Sequence, residues 1–406
     1  MGLKLLVDVC PLLKPRTGVG NYIFYLLREI LRSERVEDVV GICGLRVLNR
    51  QALEQLVFAT PAPVEAKSKP QGLAKLRHLP KGMFKHLPYG RELRSGLQSL
   101  LLRLQWRKYH DYVFWGGNYD IPWVPLPSVL TIHDLSHVHY PEFHPADRVK
   151  FLNKHLAKTI QRATVIAVVS EATRQDVLVN LGKQMPLPPI TVVYPAAGVD
   201  FQTQDAAQAE QVKARYDLPA QFLLSVGTLE PRKNVPRLLE AYASLPETVQ
   251  AECPLLLVGS QGWLTQELAQ KLGTLQYVRW LGYVPDQDMP YLYRAATVFA
   301  YVSLFEGFGM PALEAMCCGV PVLTSTSSSL PEVTGQAALR VDPLSVSAIA
   351  QGLTDLMQDE GLRKKLSTLS LLQAKQFDWL RPEIPDCRAI RTGERRRPVP
   401  RSPQGR

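Results

Sequence analysis

Two carboxylates eight positions apart, Glu306 and Glu314, flank the glycine turn Gly307-Phe308-Gly309 within Ser303–Gly319. Glycine has no Cβ, so the backbone N–H groups of such a turn, through Met310, can come close to a ligand. The apolar run Thr297–Tyr301 reads as a buried parallel strand, and Pro311 suits the first position of a following helix. The turn's N–H groups then sit at the positive end of that helix, where anionic or hydroxyl-rich ligands are favoured. Each carboxylate can accept hydrogen bonds from a pair of neighbouring hydroxyls, and a nucleotide sugar carries two such pairs, on the sugar and on the ribose. Taken singly, the residues have a plainer reading: a solvated Glu306, and a Glu314 that stabilises a helix dipole.

Three other constellations bear on the same chemistry. The loop Gly227–Asn234 follows an apolar run and precedes a helical one, with Asn234 as the expected N-cap. In doubly wound sheets ligands bind beyond the carboxyl ends of the strands, so this loop should face the same site as Glu306. Arg232 can grip a diphosphate through two N–H groups and Lys233 as a point charge. The alternative is a solvated pair, but two cations are mildly unfavourable at a helix N-terminus, which argues for an anion beside them. Thr17-Gly18-Val19-Gly20-Asn21 is too short for the dinucleotide fingerprint, yet it supplies N–H donors ahead of a helix. His133, before Asp134, closes another apolar run; a lone histidine there is more often structural than catalytic.

The elements that must position these residues alternate along the whole chain, which argues for parallel sheets with helices on both faces. The sequence predicts strands over Leu3–Val9, Val129–His133, Val165–Ser170, Ile190–Tyr194, Phe222–Val226, Pro254–Val258, Val278–Leu281, Thr297–Tyr301 and Val320–Thr324. Helices are expected over Tyr22–Leu31, after Ser170, and over Val235–Ala243, Asp286–Ala295 and Pro311–Cys318. The polar stretch Asp200–Gln211 reads as a hinge. The expected organisation is residues 1–200, residues 201–380, and a Pro/Arg-rich tail over 381–406 whose composition suits disorder.

A chain of 406 residues exceeds what one core supports, and 46% hydrophobic with 21% charged residues describes a globular protein rather than a disordered one. No apolar run is long enough to cross a bilayer. The six cysteines lack CxxC spacing and read as thiols of a reducing compartment, so a cytoplasmic address is expected. The net charge of +10 is uneven: eleven Lys/Arg face one acid, Glu92, between Lys67 and Lys108. There Leu93, Leu97, Leu100, Leu101 and Leu104 share a helical face bordered by Arg91, Arg94, Arg103, Arg107 and Lys108. Such a helix suits peripheral contact with an anionic membrane, or equally an ordinary packed helix. Nucleic acid ranks last, since no aromatics interleave with the charges.

Together these motifs resemble the retaining glycosyltransferases of the glycogen-synthase-like GT4 type. The matching stretches are Val226–Asn234, Leu257–Ser260, Leu281–Val284, the Glu306-to-Glu314 motif, Gly319–Val322 and Leu330–Val333, with Gly18–Gly20, His133-Asp134 and Val168–Glu171 in the first half. The resemblance implies an α/β GT-B fold, two Rossmann-like doubly wound domains facing a central cleft. It implies that Arg232 and Lys233 hold the donor diphosphate and that Gly18 to Gly20 close over it. Glu306 and the Gly307–Met310 backbone would bind the sugar hydroxyls, Glu314 the ribose, and His133 would assist near the sugar. No metal or cofactor is implied, the nucleotide sugar being a substrate; the acceptor would be a glycan or lipid-linked. The region from His133 through Tyr140–Phe143 looks most like bacterial mannosyltransferases, which favours GDP-mannose. A catalytically impaired sugar-nucleotide binder and a nucleotide-sugar epimerase are the alternatives. Members commonly end in a helix that braces the first domain, and Pro382, Pro385, Pro398, Pro400 and Pro403 depart from that pattern.

Overall fold

Buried strands of Val, Leu, Ile and Phe organise the chain into two sheets. The structure is a computed structural model describing residues 2–13, 18–58, 96, 99–100, 102–201, 205–262 and 266–379. The first sheet contains β1 (Leu3–Asp8), β2 (Val36–Cys43), β3 (Arg46–Leu48), β4 (Val113–Gly116), β5 (Ser128–Ile132), β6 (Val165–Val168) and β7 (Ile190–Val192). Its order is β3-β2-β1-β4-β5-β6-β7, with β3 antiparallel to β2. The second contains β8 (Leu223–Val226), β9 (Leu255–Val258), β10 (Val278–Trp280), β11 (Val298–Tyr301), β12 (Val322–Ser325) and β13 (Ala338–Val341), in the order β10-β9-β8-β11-β12-β13. Both sheets are Rossmann-like, as the alternating pattern required. By packing, the described residues fall into two compact units. One lies within Met1–Thr131 and Lys158–Ile166, the other within Ile132–Ala157 and Ala167–Glu383.

The core of the second sheet shows why these segments are strands. Leu223, Leu255, Leu257, Val298, Ala300 and Leu323 interlock with Leu238, Leu239 and Tyr242 of the Val235–Ala243 helix and with Ile349 and Leu353 of the Val346–Gln358 helix. Strands covered on both faces read as continuous apolar runs, and those runs betrayed them. Strands β2, β3, β4 and β13 lacked that signal. Glu37 and Asp38 interrupt β2, Gly116 and Gly117 truncate β4, and Arg340 breaks β13.

Three local expectations are corrected, and a fourth gains detail. Within the expected hinge Asp200–Gln211, residues 206 onward belong to the helix Ala206–Tyr216, whose N-cap, Asp205, accepts from Gln208 N–H at 3.1 Å, as Ala- and Gln-rich sequence permits. Pro311 takes the second helical position, because the helix begins at Met310. Gly18 and Gly20 do not precede a helix but form the first turn of Gly18–Arg32. The cysteines are not all thiols, since Cys10 and Cys43 are disulfide-bonded. Register explains the pairing. Asp8 pairs with Ile42 in parallel strands, which sets the Cys10 and Cys43 Cα atoms 4.7 Å apart. Thr17, most of the leucine face between 91 and 101, and the tail 381–406 lie outside the described residues.

Candidate functional site

Strand order locates the site. In the second sheet the sequence order reverses between β8 and β11, which pair in parallel through Val298–Leu223 and Phe299–Leu224. The loops leaving these two strands diverge at their carboxyl ends, the usual place for a ligand in an open α/β sheet. After β8 come the short turn Pro231–Lys233 and then Asn234; after β11 comes the loop to Glu306. Leu304 N–H donates to the Arg232 carbonyl at 2.8 Å, holding the loops together.

The side chains converge on one carboxylate. Glu306 receives Arg232 Nη1 on Oε2 at 2.7 Å, and on Oε1 both Lys233 Nζ at 2.7 Å and the Tyr301 hydroxyl at 2.8 Å. Lys233 also donates to the Tyr301 hydroxyl at 2.5 Å, and Arg232 Nε donates to Glu230 at 3.0 Å. Side-chain exposure is 19% for Arg232, 11% for Lys233 and 7% for Glu306, which disposes of the solvated readings. Burial alone would raise the Glu306 carboxyl, but Arg232 and Lys233 hold it down at about 2. Burial and the neighbouring guanidinium lower the Lys233 ammonium despite Glu306. The NH2 group of Arg232 and one Lys233 proton meet no acceptor among the described residues, so both cations keep donors for an incoming anion.

The glycine turn is clamped by hydroxyls. Ser329 Oγ lies 2.9 Å from the carbonyls of both Glu306 and Phe308. Ser170 and Thr173 donate to the Gly307 carbonyl at 2.6 and 3.1 Å. Ser328 Oγ takes the Glu306 N–H at 2.8 Å, whereas the N–H groups of Gly307 to Met310 meet no acceptor among the described residues. A Cβ on Gly307 would run into the His133 carbonyl oxygen, and Gly309 sits at φ +103°, so both positions require glycine. His133 is thus brought against the turn by its backbone. Beside it, burial would raise the Asp134 carboxyl, but Arg232 and two bonds from Ser136 hold it at about 2.

Glu314, in the next helix, is half-buried and accepts from the Tyr293 hydroxyl at 2.9 Å. Burial pushes its carboxyl up to about 7, with Tyr293 and Lys233 opposing. Asn234 does not cap its helix through the side chain. It adopts φ +60° and its amide donates to the carbonyls of Val302 at 3.0 Å and Pro343 at 2.7 Å, bracing the β11 loop. Gly18 and Gly20 fall in the other compact unit; Gly18 is exposed, with open space where a Cβ would point. Tyr301, Tyr293, Ser170, Thr173 and Ser329 were not foreseen. A tyrosine ending an apolar strand and hydroxyls in ordinary loops carry no local signal.

One further contact fixes the surroundings. The Glu332 carboxylate accepts Glu171 N–H at 2.8 Å, Ala172 N–H at 2.9 Å and the Tyr194 hydroxyl at 2.7 Å, capping the Glu171–Asn180 helix from 161 residues away.

Residues 208–369 match the family model described as glycosyl transferases group 1. Over 381 residues the chain is 35% identical to O-antigen chain mannosyltransferase B of Escherichia coli, covering 93% of this chain and 96% of that protein. Among solved structures it is similar to sucrose-phosphate synthase from Thermosynechococcus elongatus, with TM-score 0.66 and 18% identity over 97% of this chain and 98% of that one. Anabaena HepE, solved in complex with UDP and glucose, gives TM-score 0.64 and 19% identity over 94% and 96%. At these identities the solved structures speak to the fold, which is GT-B.

Proposed function

This chain belongs to the glycosyl transferases group 1 family, and from that membership we propose that it transfers mannose from GDP-mannose to a glycan or lipid-linked acceptor. It is a hexosyltransferase. The observation that carries the donor reading is the buried Arg232–Glu306–Lys233 cluster beside a turn whose Gly307–Met310 N–H groups meet no acceptor among the described residues. Breaking a sugar–phosphate bond builds positive charge at the anomeric carbon and negative charge on the departing diphosphate. The spare Arg232 and Lys233 donors and the helix N-terminus at Met310 meet that anion without reorganising. Glu306, kept ionised, accepts sugar hydroxyls, and Glu314 accepts those of the ribose. His133 lines the sugar. Retention at the anomeric carbon belongs to this proposal, as does independence from a metal.

The test is incubation of purified protein with GDP-mannose, with and without a mannose-terminated acceptor, in EDTA. Transfer with an α-configured product supports the reading. GDP-mannose binding without GDP release would establish an impaired binder instead. We further propose that Leu100, Leu104 and Trp123, which are 53%, 78% and 54% exposed beside Arg103, Arg107 and Lys108, rest on an anionic membrane. Leu104→Glu should then abolish sedimentation with phosphatidylglycerol vesicles, and unchanged sedimentation overturns that contact.

A further inference from the structure

Beside the Arg232–Glu306–Lys233 cluster the chain gathers aromatic rings that the donor does not use. His139 and Tyr140 follow the His133-Asp134 segment, Phe143 ends the short turn Pro141–Phe143, and Phe305 immediately precedes Glu306. Tyr140 and Phe143 stack with centroids 5.0 Å apart and planes within 2°. Phe305 joins them, 5.9 Å from Tyr140 and 5.2 Å from His139. The rings beneath the turn, Tyr293, Phe299, Tyr301 and Phe308, are buried, whereas Tyr140, Phe143 and Phe305 are only half-buried. These three rings are therefore a shelf at the surface and no part of the core.

The shelf's position restricts what it can hold. The Phe305 carbonyl accepts from Arg232 Nη1 at 3.3 Å, so the shelf begins one residue from the carboxylate assigned to the donor sugar. Its rim is polar: His139 Nε2 and Asp176 Oδ1 lie 2.6 Å apart, and Glu142 is exposed. Two carboxylates at the rim disfavour a phosphate or an anionic lipid headgroup. A pyranose ring fits better, because it offers an apolar C–H face to an aromatic ring and hydroxyls around its edge.

We infer that Tyr140, Phe143 and Phe305 form an acceptor subsite on which a pyranose ring of the receiving glycan stacks, with the His139–Asp176 pair bonding its hydroxyls. The inference rests on the hexosyltransferase reading. It adds what that reading lacks, a place for the second substrate next to the first.

The experiment measures both substrates in one assay, with GDP-mannose as donor and α-linked mannotriose as acceptor. Tyr140→Ala and Phe143→Ala should each raise the acceptor KM at least about tenfold, a loss of ~1.4 kcal/mol. The donor KM should stay within twofold, and Tyr140→Phe, which keeps the ring, should restore the acceptor KM. An unchanged acceptor KM in both alanine variants overturns the subsite, and so does an equal rise for donor and acceptor, which marks a structural role. A second measurement needs no variant: irradiating aromatic protons of the wild-type protein should transfer saturation to one face of a mannotriose ring. No transfer overturns the proposal even if catalysis is intact. Absence of mannosyl transfer by wild-type protein, with saturation transfer present, would instead discard the donor assignment and keep the subsite.

Discussion

At the scale of single residues the site is governed by charge placed where water is scarce. Lys233 is held by Glu306 and Tyr301, so its position does not depend on the substrate. Lys233→Ala should lower turnover by at least ~10²-fold, as for loss of one preorganised donor, with a smaller change in donor KM. Wild-type turnover in that variant would remove Lys233 from the reaction. Glu314 makes a pH-dependent prediction. Its carboxyl, raised from 4.5 to about 7, is largely protonated at pH 6 and ionised at pH 8. Only the carboxylate accepts from two ribose hydroxyls, so the donor KM should fall as pH rises across that window, and Glu314→Gln should flatten the profile. The same shift means the donor-free protein loses stability as pH rises from 4.5 towards 7, because the folded state binds that proton more tightly. A donor KM that stays level from pH 6 to 8 would separate Glu314 from ribose binding.

At the scale of elements, the turn Glu306–Gly309 is rigid because its carbonyls are taken up by Ser170, Thr173 and Ser329. Gly307→Ala would push its new methyl group into the His133 carbonyl, shifting the turn or that strand end. A displacement near 1 Å is worth ~10²-fold in rate, so turnover measured with saturating donor should drop by about that factor. An active Gly307→Ala protein would show that the turn has slack. This level also shows what the sequence could convey. The strand-turn-helix around Glu306 and the Arg232-Lys233 loop were legible, because apolar runs and glycines report local backbone requirements. That the carboxylate and the two cations would bind one another, rather than sit across a ligand, was not. It depends on β8 and β11 being neighbours, a fact of sheet order. Asn234 misled because distant partners orient its side chain: its amide donates to the Val302 and Pro343 carbonyls, and its Oδ1 accepts from Arg237 at 2.9 Å instead of from a helix N–H.

At the scale of the molecule the strand pattern predicted two Rossmann-like sheets, while the Cys10–Cys43 bond escaped because a separation of 33 residues has no motif. Closing a loop of that length stabilises by about 3–4 kcal/mol in the chain-entropy account. Dithiothreitol or Cys43→Ser should therefore lower the melting temperature of the part containing β1 and β2, and an unmoved transition would mean the bond adds nothing. A last consequence concerns time. Glu332 takes the first two N–H groups of the Glu171–Asn180 helix, the local N-cap Ser170 takes the third at 3.0 Å, and the clamp on Gly307 begins at Ser170 and Thr173. During synthesis at ~5–20 residues per second, the helix start leaves the ribosome about 8–32 s before Glu332 exists. For that interval the N–H groups of Glu171 and Ala172 face water or a chaperone, so a ribosome pausing before residue 332 would prolong the exposure of that helix start.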